Sequence, residues 1–591
     1  MFLRKTQRKK DGKTHEYWSV VENKRVAGGR VVQRHVLYLG EINSSQATVW
    51  RKAIEVLDDD AGHPRTMALF AEDRCAAVAS DASVVQLRLS EMRLCRPRQW
   101  GACWLAGQLW QALQLDQFWA ARLPPSRKGT RWDQVLQVLV AYRLIAPGSE
   151  WKLHRDWFGR SAMADLLGAD FGLAEAHKLY ACHDFLLQHK ADLFAHLMAR
   201  WCDLFNANFD VLLYDLTSTY FEINASDLAD GDKRRHGYSR DKRPDCPQVV
   251  IALVVTPDGL PLAYEVLAGN TADCTTLRMF LDKIEQQYGR ARRVWVMDRG
   301  IPTEAVLAEM RRSDPPVQYL VGTPKGRLSR LETQLLAKPW QEARPGVSVK
   351  LLAEDGELYV FAESADRVSK ERAMRRRQLK WLWKRLRELA TMQASREEML
   401  MKLGAARARA PTAWRLVDIA MDKAGAGFSY TLNRHKLRQI RRREGRYLLR
   451  SNLTENDPTL LWQYYTQLVA VEEAFKNLKG DLAIRPIFHQ DEHRVEAHIF
   501  IAFLAYCLQI TLQRRLHALA PGLTARSALE KFAAVQMIDL HLPTTNGREL
   551  LLTRYTQPEP ELWLLIHQLK LQLPPQPPPR IANGTVPRPL P

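Results

Sequence analysis

The sequence predicts an α/β protein built around a mixed sheet, and three observations predict it. From residue 206 to 324, apolar runs of strand length alternate with amphipathic runs of helix length. Two acids, Asp215 in VLLYDLTSTYF and Asp298 in RRVWVMDRG, lie at or near the end of two of the strand-like runs. A third, Glu472 in YYTQLVAVEEAFKNLK, lies on an amphipathic stretch that reads as a helix. A carboxylate beside buried apolar segments is costly unless it is paired or binds a cation.

Residues 1–60 read as a small β-rich N-terminal unit. EYWSVVE and RVVQRHVLYLG are rich in Val, Tyr and Trp and flank a Gly28-Gly29 turn. Arg4, Lys5, Arg8, Lys9, Lys10 and Lys13 precede them, as a solvated tail or a phosphate-binding arm. Residues 61–205 read as a helical domain, because ACWLAGQLWQALQLDQFW and DLFAHLMARWCDLF repeat apolar residues every three or four positions.

At 206–324 the pattern changes. DVLLYDL is a strand. VVIALVV and LPLAYEVL flank Thr256-Pro257-Asp258-Gly259 and read as a hairpin. TTLRMFLDKIEQQYG is a helix, RRVWVMD a strand, TEAVLAEMRRS a helix and VQYLVGT a strand. The order β-β-β-α-β-α-β is that of a ribonuclease H-like, retroviral-integrase-like domain, whose mixed sheet needs covering helices. Such a sheet places its first and fourth strands side by side, and with them Asp215 and Asp298.

Residues 325–455 read as a β-rich insertion (GVSVKLLAEDGELYVFAE, FSYTL, RYLLRSN) that also holds a long basic helix, SKERAMRRRQLKWLWKRLRELA. Residues 456–515 resume the core as closing helices. Within them 459–479 is expected to form one helix, with Trp462, Leu468, Val471, Phe475 and Leu478 inward and Glu472 and Lys479 toward a cleft. Residues 516–591 read as C-terminal helices and a Pro-rich disordered tail, LPPQPPPRIANGTVPRPLP.

Composition narrows the function. Lys and Arg number 86 against 66 Asp and Glu, a net charge of +20 with a pI near 9.6. That excess points to a polyanionic partner; the competing reading is a merely basic solvated surface. The eight cysteines form no C-x-x-C pair or metal-finger spacing, which fits a reduced, cytoplasmic compartment. MFLRKTQRKKDGK lacks the apolar core of a signal peptide. IFIAFLAYCLQITL, residues 499–512, is short for a bilayer and ends in Gln-Arg-Arg, so it reads as a buried helix.

Each acid taken alone is as readily a turn former or a solvated helix residue. Together, with their flanks, Asp215, Asp298 and Glu472 resemble the DDE transposases of bacterial insertion sequences. One large branch carries its Glu in Tyr-x2-Arg-x3-Glu-x6-Lys. This chain reads Tyr465-x2-Leu468-x3-Glu472-x6-Lys479, so Tyr, Glu and Lys match and the Arg does not. GYSRDKRPDCPQVVIALVVTPDGLPLAYEVLAGNTAD and RPIFHQDEHRVEAHIFIAFLAYCL also look like that branch, and the resemblance spans about residues 205–515.

The resemblance implies an enzyme that cuts at insertion-sequence ends and joins the freed 3′-hydroxyl to target DNA. Asp215, Asp298 and Glu472 would hold two Mg²⁺ ions, for which Mn²⁺ can substitute, with Asp215 bridging them. Tyr465, Lys479 and Arg299 would contact phosphate. The insertion would touch end DNA, where Arg385 on the basic helix and Arg441 and Arg442 in a charge run could meet phosphates. Implied partners are double-stranded DNA, both inverted-repeat ends and target, and a second copy in a homodimer, in the bacterial cytoplasm at the nucleoid and with no membrane. Two alternatives stay open: a ribonuclease H-like nuclease without strand transfer, and an inactive transposase-derived DNA-binding protein.

Overall fold

The computed structural model describes residues 2–10, 13–25, 31–40, 87–126, 129–223, 228–229, 231–289, 293–298, 300–323, 334, 338–354, 356–422, 427–442, 444–454, 457–545 and 547–582. The chain divides into two compact units: Met1–Thr6, Glu16–Ala291 and Val469–Pro591 in the first, Gln7–His15 and Arg292–Leu468 in the second.

Strands β1 (Phe2–Lys10), β2 (Lys13–Arg25) and β3 (Val31–Gly40) form a sheet in that order. The basic N-terminal cluster is thus strand and not tail. Within it Lys5 meets Glu16 across the strands at 2.7 Å. The Gly28-Gly29 turn lies outside the described residues. After β4 (Arg93–Gln99) the expected helices follow: α1 (Gly101–Ala112), α2 (Trp132–Ile145), α3 (Ala176–His183) and α4 (Lys190–Phe205).

Then come β5 (Val211–Tyr220), β6 (Gln248–Val255) and β7 (Pro261–Ala268), antiparallel neighbours in sequence order, and α5 (Leu277–Tyr288). Every residue of β6 is buried, which its unbroken run QVVIALVV requires of a strand covered on both faces. The β6–β7 turn closes where Thr256 N donates to Leu260 O at 2.8 Å, and Gly259 supplies the left-handed φ of +80° that the turn needs.

The second unit continues with β8 (Val294–Met297), α6 (Glu304–Arg312) and β9 (Gln318–Gly322), completing the expected β-β-β-α-β-α-β order along the chain. Next are β10 (Gln341–Arg344), β11 (Val347–Glu354), β12 (Glu357–Ser364), α7 (Ala365–Ala390), α8 (Arg396–Arg409), β13 (Val417–Met421), β14 (Phe428–Leu432), α9 (Arg434–Arg442), β15 (Arg446–Ser451) and α10 (Pro458–Thr466). Within this unit the strand order is β10-β11-β12-β15-β9-β8, with β8 and β9 parallel. The insertion therefore does two things. Four of its strands extend the sheet beside β9. Its helices α7 and α8 build a separate small core of Leu382, Leu386, Leu389, Met399 and Leu403, over which the β13–β14 hairpin packs. Ser364 and Ser395 cap the two helices, each hydroxyl accepting a backbone N–H of the first turn.

The first unit resumes with α11 (Val469–Lys479) and α12 (Glu492–Leu519). The single helix expected over 459–479 is two: α10 ends at Thr466 and α11 begins at Val469. Gln467 N and Leu468 N donate three residues back, to Tyr464 O and Tyr465 O, so α10 tightens into a turn before the chain restarts. Of the expected inward set, Trp462, Val471, Phe475 and Leu478 are buried, and Leu468, in the break, is half-buried. Helix α12 is 28 residues, longer than its apolar segment. By length and composition it could cross a membrane, but 94% of its apolar window is buried inside the protein. It is a core helix: Phe503 on it packs 5.2 Å from Phe194 of α4 and 4.6 Å from Tyr264 of β7, ring centre to ring centre.

The C-terminus departs from the helices expected there. Beyond α13 (Ala525–Phe532), β16 (Gln536–Pro543), β17 (Glu549–Tyr555) and, after α14 (Pro560–Gln568), β18 (Arg580–Ala582) join β4 in a sheet of order β18-β17-β16-β4. The Pro-rich segment is ordered as far as Ala582 because its carbonyls and amides find partners on β17. Tyr555 N donates to Gln576 Oε1 at 3.1 Å, and Gln576 Nε2 donates to Tyr555 O at 2.9 Å. Lacking amide protons, prolines still offer carbonyl acceptors, so such a strap can dock without becoming a central strand. Residues 583–591 lie outside the described set.

Candidate catalytic site and basic cleft

Asp215 occupies the middle of β5, opposite Leu253 of β6. From Val211 to Thr219 every residue of β5 is buried except Asp215, which is partly exposed. The cover of the sheet thus opens at the one position that carries a charge. Its Oδ1 accepts from Leu216 N at 2.8 Å. Next to it the Tyr214 hydroxyl meets Thr276 Oγ1 at 2.6 Å, and burial pushes that phenol well above its ordinary value.

Glu472 lies on the exposed side of α11, while Val471, Ala474, Phe475 and Leu478 form its buried side. That apolar side packs on β5, β6 and α12. Asp215 and Glu472 are therefore carried by elements in direct contact within one unit. Asp298 follows the fully buried β8 in the other unit and is exposed, its carbonyl accepting from Ile301 N at 3.2 Å. Arg299 lies outside the described residues.

Lys479 ends α11. The sequence alone leaves it free for DNA, but its ammonium is committed to Asp241, with Nζ 2.9 and 3.2 Å from the two carboxylate oxygens. Arg485 reaches the same carboxylate at 3.1 Å. Burial, more than its neighbours, holds the Lys479 pKa below the usual lysine value. Asp241 belongs to the GYSRDKRPD loop, residues 237–245. Arg240 of that loop pairs with Asp273, and Arg243 and Arg485 both stack on the Tyr220 ring, 4.9 and 4.7 Å from its centre. Backbone contact fixes the loop. Gln248 Nε2 donates to Tyr238 O at 3.0 Å and to Gly269 O at 3.1 Å. A Cβ on Gly269 would come 1.9 Å from Gln248 O, and one on Gly237 2.0 Å from Gly269 O. Sequence reasoning places Arg240, Asp241 and Arg485 in two stretches that resemble the family but gives none of them a role, because nothing in either stretch indicates what its charges would face.

Tyr465 sits on α10, apart from the helix of Glu472, in an aromatic cluster with Tyr447 at 5.7 Å and Trp462 at 6.1 Å. On α7 the residues at four-residue spacing, Arg372, Arg376, Lys380 and Lys384, line a cleft of about 1110 Å³ facing α9, which contributes Arg441. Arg385 is not in its lining and pairs instead with Glu388 at 3.1 Å. The side chain of Arg442 lies outside the described set. Glu444 is buried and shares its single charge between two of the cations, lying 2.6 Å from Arg372 and also against Arg375.

Comparison with known proteins adds two family matches. Residues 218–508 match the transposase DDE domain, and residues 3–65 match the N-terminal domain of the IS1634 family of transposases. The first match starts three residues past Asp215 and contains Asp298 and Glu472. No curated protein matches the chain. Among solved structures, a piggyBac transposase synaptic complex with hairpin DNA matches at 10% identity, over 76% of this chain and 82% of that one, with a TM-score of 0.34, too loose a superposition to place any residue.

Proposed function

We propose that this chain, which belongs to the DDE transposases of bacterial insertion sequences, uses Asp215, Asp298 and Glu472 as its catalytic carboxylates. It is a DNA transposase, a metal-dependent nuclease and strand transferase with a ribonuclease H-like fold. The observation that carries the residue assignment is the opening at Asp215: the one partly exposed residue of β5 before Tyr220 is an acid, and the helix of Glu472 packs on that strand.

Three carboxylates are hard oxygen donors of the kind Mg²⁺ takes, and a half-buried Asp among apolar neighbours is stabilised by a cation, so the residues fit a pair of divalent ions. When bound, such ions polarise the phosphodiester and make water or a 3′-hydroxyl a nucleophile at neutral pH. The protein's own part is to hold the acids on rigid elements and to bind the DNA backbone. Lys479 and Arg485 share one carboxylate, which leaves a net positive charge beside the GYSRDKRPD loop for a phosphate. The cleft between α7 and α9 supplies a second cationic surface for transposon-end DNA. The active form on paired ends is a homodimer.

The test is cleavage of a duplex carrying the element's own inverted repeat, with Mg²⁺ or Mn²⁺. Asp215→Asn, Asp298→Asn and Glu472→Gln should each lower cleavage by about a thousand-fold or more, the several kcal/mol that metal-assisted charge stabilisation supplies. End binding should persist. Wild-type cleavage by Asp215→Asn would reject the assignment. Joining of a pre-cleaved 3′-hydroxyl end to a plasmid separates a transposase from a nuclease that only cuts.

A further inference from the structure

A second set of metal donors lies buried in the first unit, in residues the catalytic reading does not use. Glu150 opens the short helix Glu150–Lys152, His183 closes α3, His489 precedes α12 and His498 lies within it. All four are buried, and one donor atom from each lies within 4.8 Å of all the others.

The three distances from the carboxylate match the edges of a coordination shell. Glu150 Oε1 stands 3.4 Å from His183 Nε2, 3.3 Å from His489 Nε2 and 3.3 Å from His498 Nδ1. Charge-assisted hydrogen bonds are shorter, about 2.7–2.9 Å. Donors about 2.0–2.1 Å from a tetrahedral Zn²⁺ stand about 3.3–3.4 Å from one another, the edge of the tetrahedron.

Proton placement points the same way. His183 Nδ1 lies 2.9 Å from Leu179 O, which can only accept, so in the neutral ring Nδ1 carries the proton and Nε2 a lone pair. That Nε2 is fully buried, makes no hydrogen bond and faces the Glu150 carboxylate. Two lone pairs opposed in the interior require a proton or a cation between them. An imidazole oriented by a carbonyl on its far nitrogen is the outer-shell arrangement of metal-binding histidines.

We propose that Glu150, His183, His489 and His498 bind one Zn²⁺ as a closed, structural site. Four protein donors complete a tetrahedron and leave no open position for substrate, which sets this site apart from the carboxylate site that binds the catalytic ions. The ion would join residues 339 and 348 positions apart, fastening the helical region to α12, the helix on which the Glu472 helix packs.

The experiment uses the untagged full chain, purified, dialysed against a weak chelator and assayed for metals by mass spectrometry. About one zinc per chain is expected. It should be retained by an Asp215→Asn, Glu472→Gln double variant and lost by His183→Asn and by Glu150→Gln. Stripping with a strong chelator should lower the Tm of the wild type, added Zn²⁺ should restore it, and Co²⁺ in its place should give the intense visible bands of a tetrahedral site. The wild-type measurements stand even if the variants fail to fold. Folded wild type that carries no zinc, shows no Tm response to added Zn²⁺ and gives no cobalt bands would overturn the proposal and leave Glu150 as a hydrogen-bonded hub. Zinc undiminished in folded His183→Asn would overturn it equally, by placing the ion elsewhere.

Discussion

Two helices of nearly equal length serve opposite purposes in this molecule. Helix α12, 28 residues, has every position from Ala497 to Leu512 buried; helix α7, 26 residues, buries only Arg375, Leu382, Leu386 and Leu389. The first is wrapped by α2, α3, β7 and α11 and shows no polar face along its middle. The second keeps a short leucine seam at one end and gives the remainder to Arg and Lys. Length and helicity are thus uninformative about role. What separates the two is where side-chain desolvation is favourable: α12 gains from leaving water, and α7 keeps most of its charges in it.

That contrast can be broken from either side. The largest effect should come from Phe503→Ala, which removes the ring that Phe194 and Tyr264 pack against and should cost about 3–5 kcal/mol by denaturant unfolding of the first unit. A loss below about 1 kcal/mol would mean that α12 is less essential to the core than its burial implies. Next is the combined change Arg376→Gln, Lys380→Gln, Lys384→Gln on α7. Stability should be unchanged within about 0.5 kcal/mol. The slope of log affinity for transposon ends against log salt should become shallower by about 0.9 for each phosphate that is no longer neutralised. An unaltered slope would remove the cleft from the DNA interface. Smaller again is Lys479→Met, which should weaken binding of cleaved ends several-fold while leaving Arg485 on Asp241; unchanged end binding would make Lys479 purely a partner of that carboxylate. The smallest change is expected of Arg385→Gln, whose side chain pairs with Glu388 outside the cleft, and end binding should match wild type.

Much of this fold is legible from the residues because short-range physics sets it. The β-β-β-α-β-α-β order follows from runs whose period matches their element, and α7 is legible as a long basic helix, though it begins at Ala365, four residues before the Ser369 where the sequence reading starts it. The parts that are not legible depend on contacts distant in sequence. The break at Gln467–Leu468 is invisible because apolar spacing runs through it unbroken. The C-terminal strands β16 and β17, QMIDLHLP and ELLLTRY, are rich in Leu and read as helix. They become strands because β4, far upstream, offers an edge to pair with. Lys479 reads as free since Glu472, on the same helical face, lies about two turns away; its partner lies 238 residues away. Glu150 and its three histidines share no spacing motif at all. Asp215 and Glu472 are legible as chemistry, an acid in an apolar run and an acid on an amphipathic helix, but that their elements touch is a fact of the fold.

The crossing of backbones at Gly237 and Gly269 has an evolutionary consequence. The loop bearing Arg240 and Asp241 rests on a place where the chain passes itself with no room for a methyl group. A drifting sequence can exchange one cation for another around that loop and keep a working charge balance. It cannot introduce even alanine at Gly269 without lifting the loop from its seat. Two positions with no functional group of their own are therefore the least negotiable letters in this part of the gene, and a library built to retune DNA contacts should hold them fixed while it varies the charges they support.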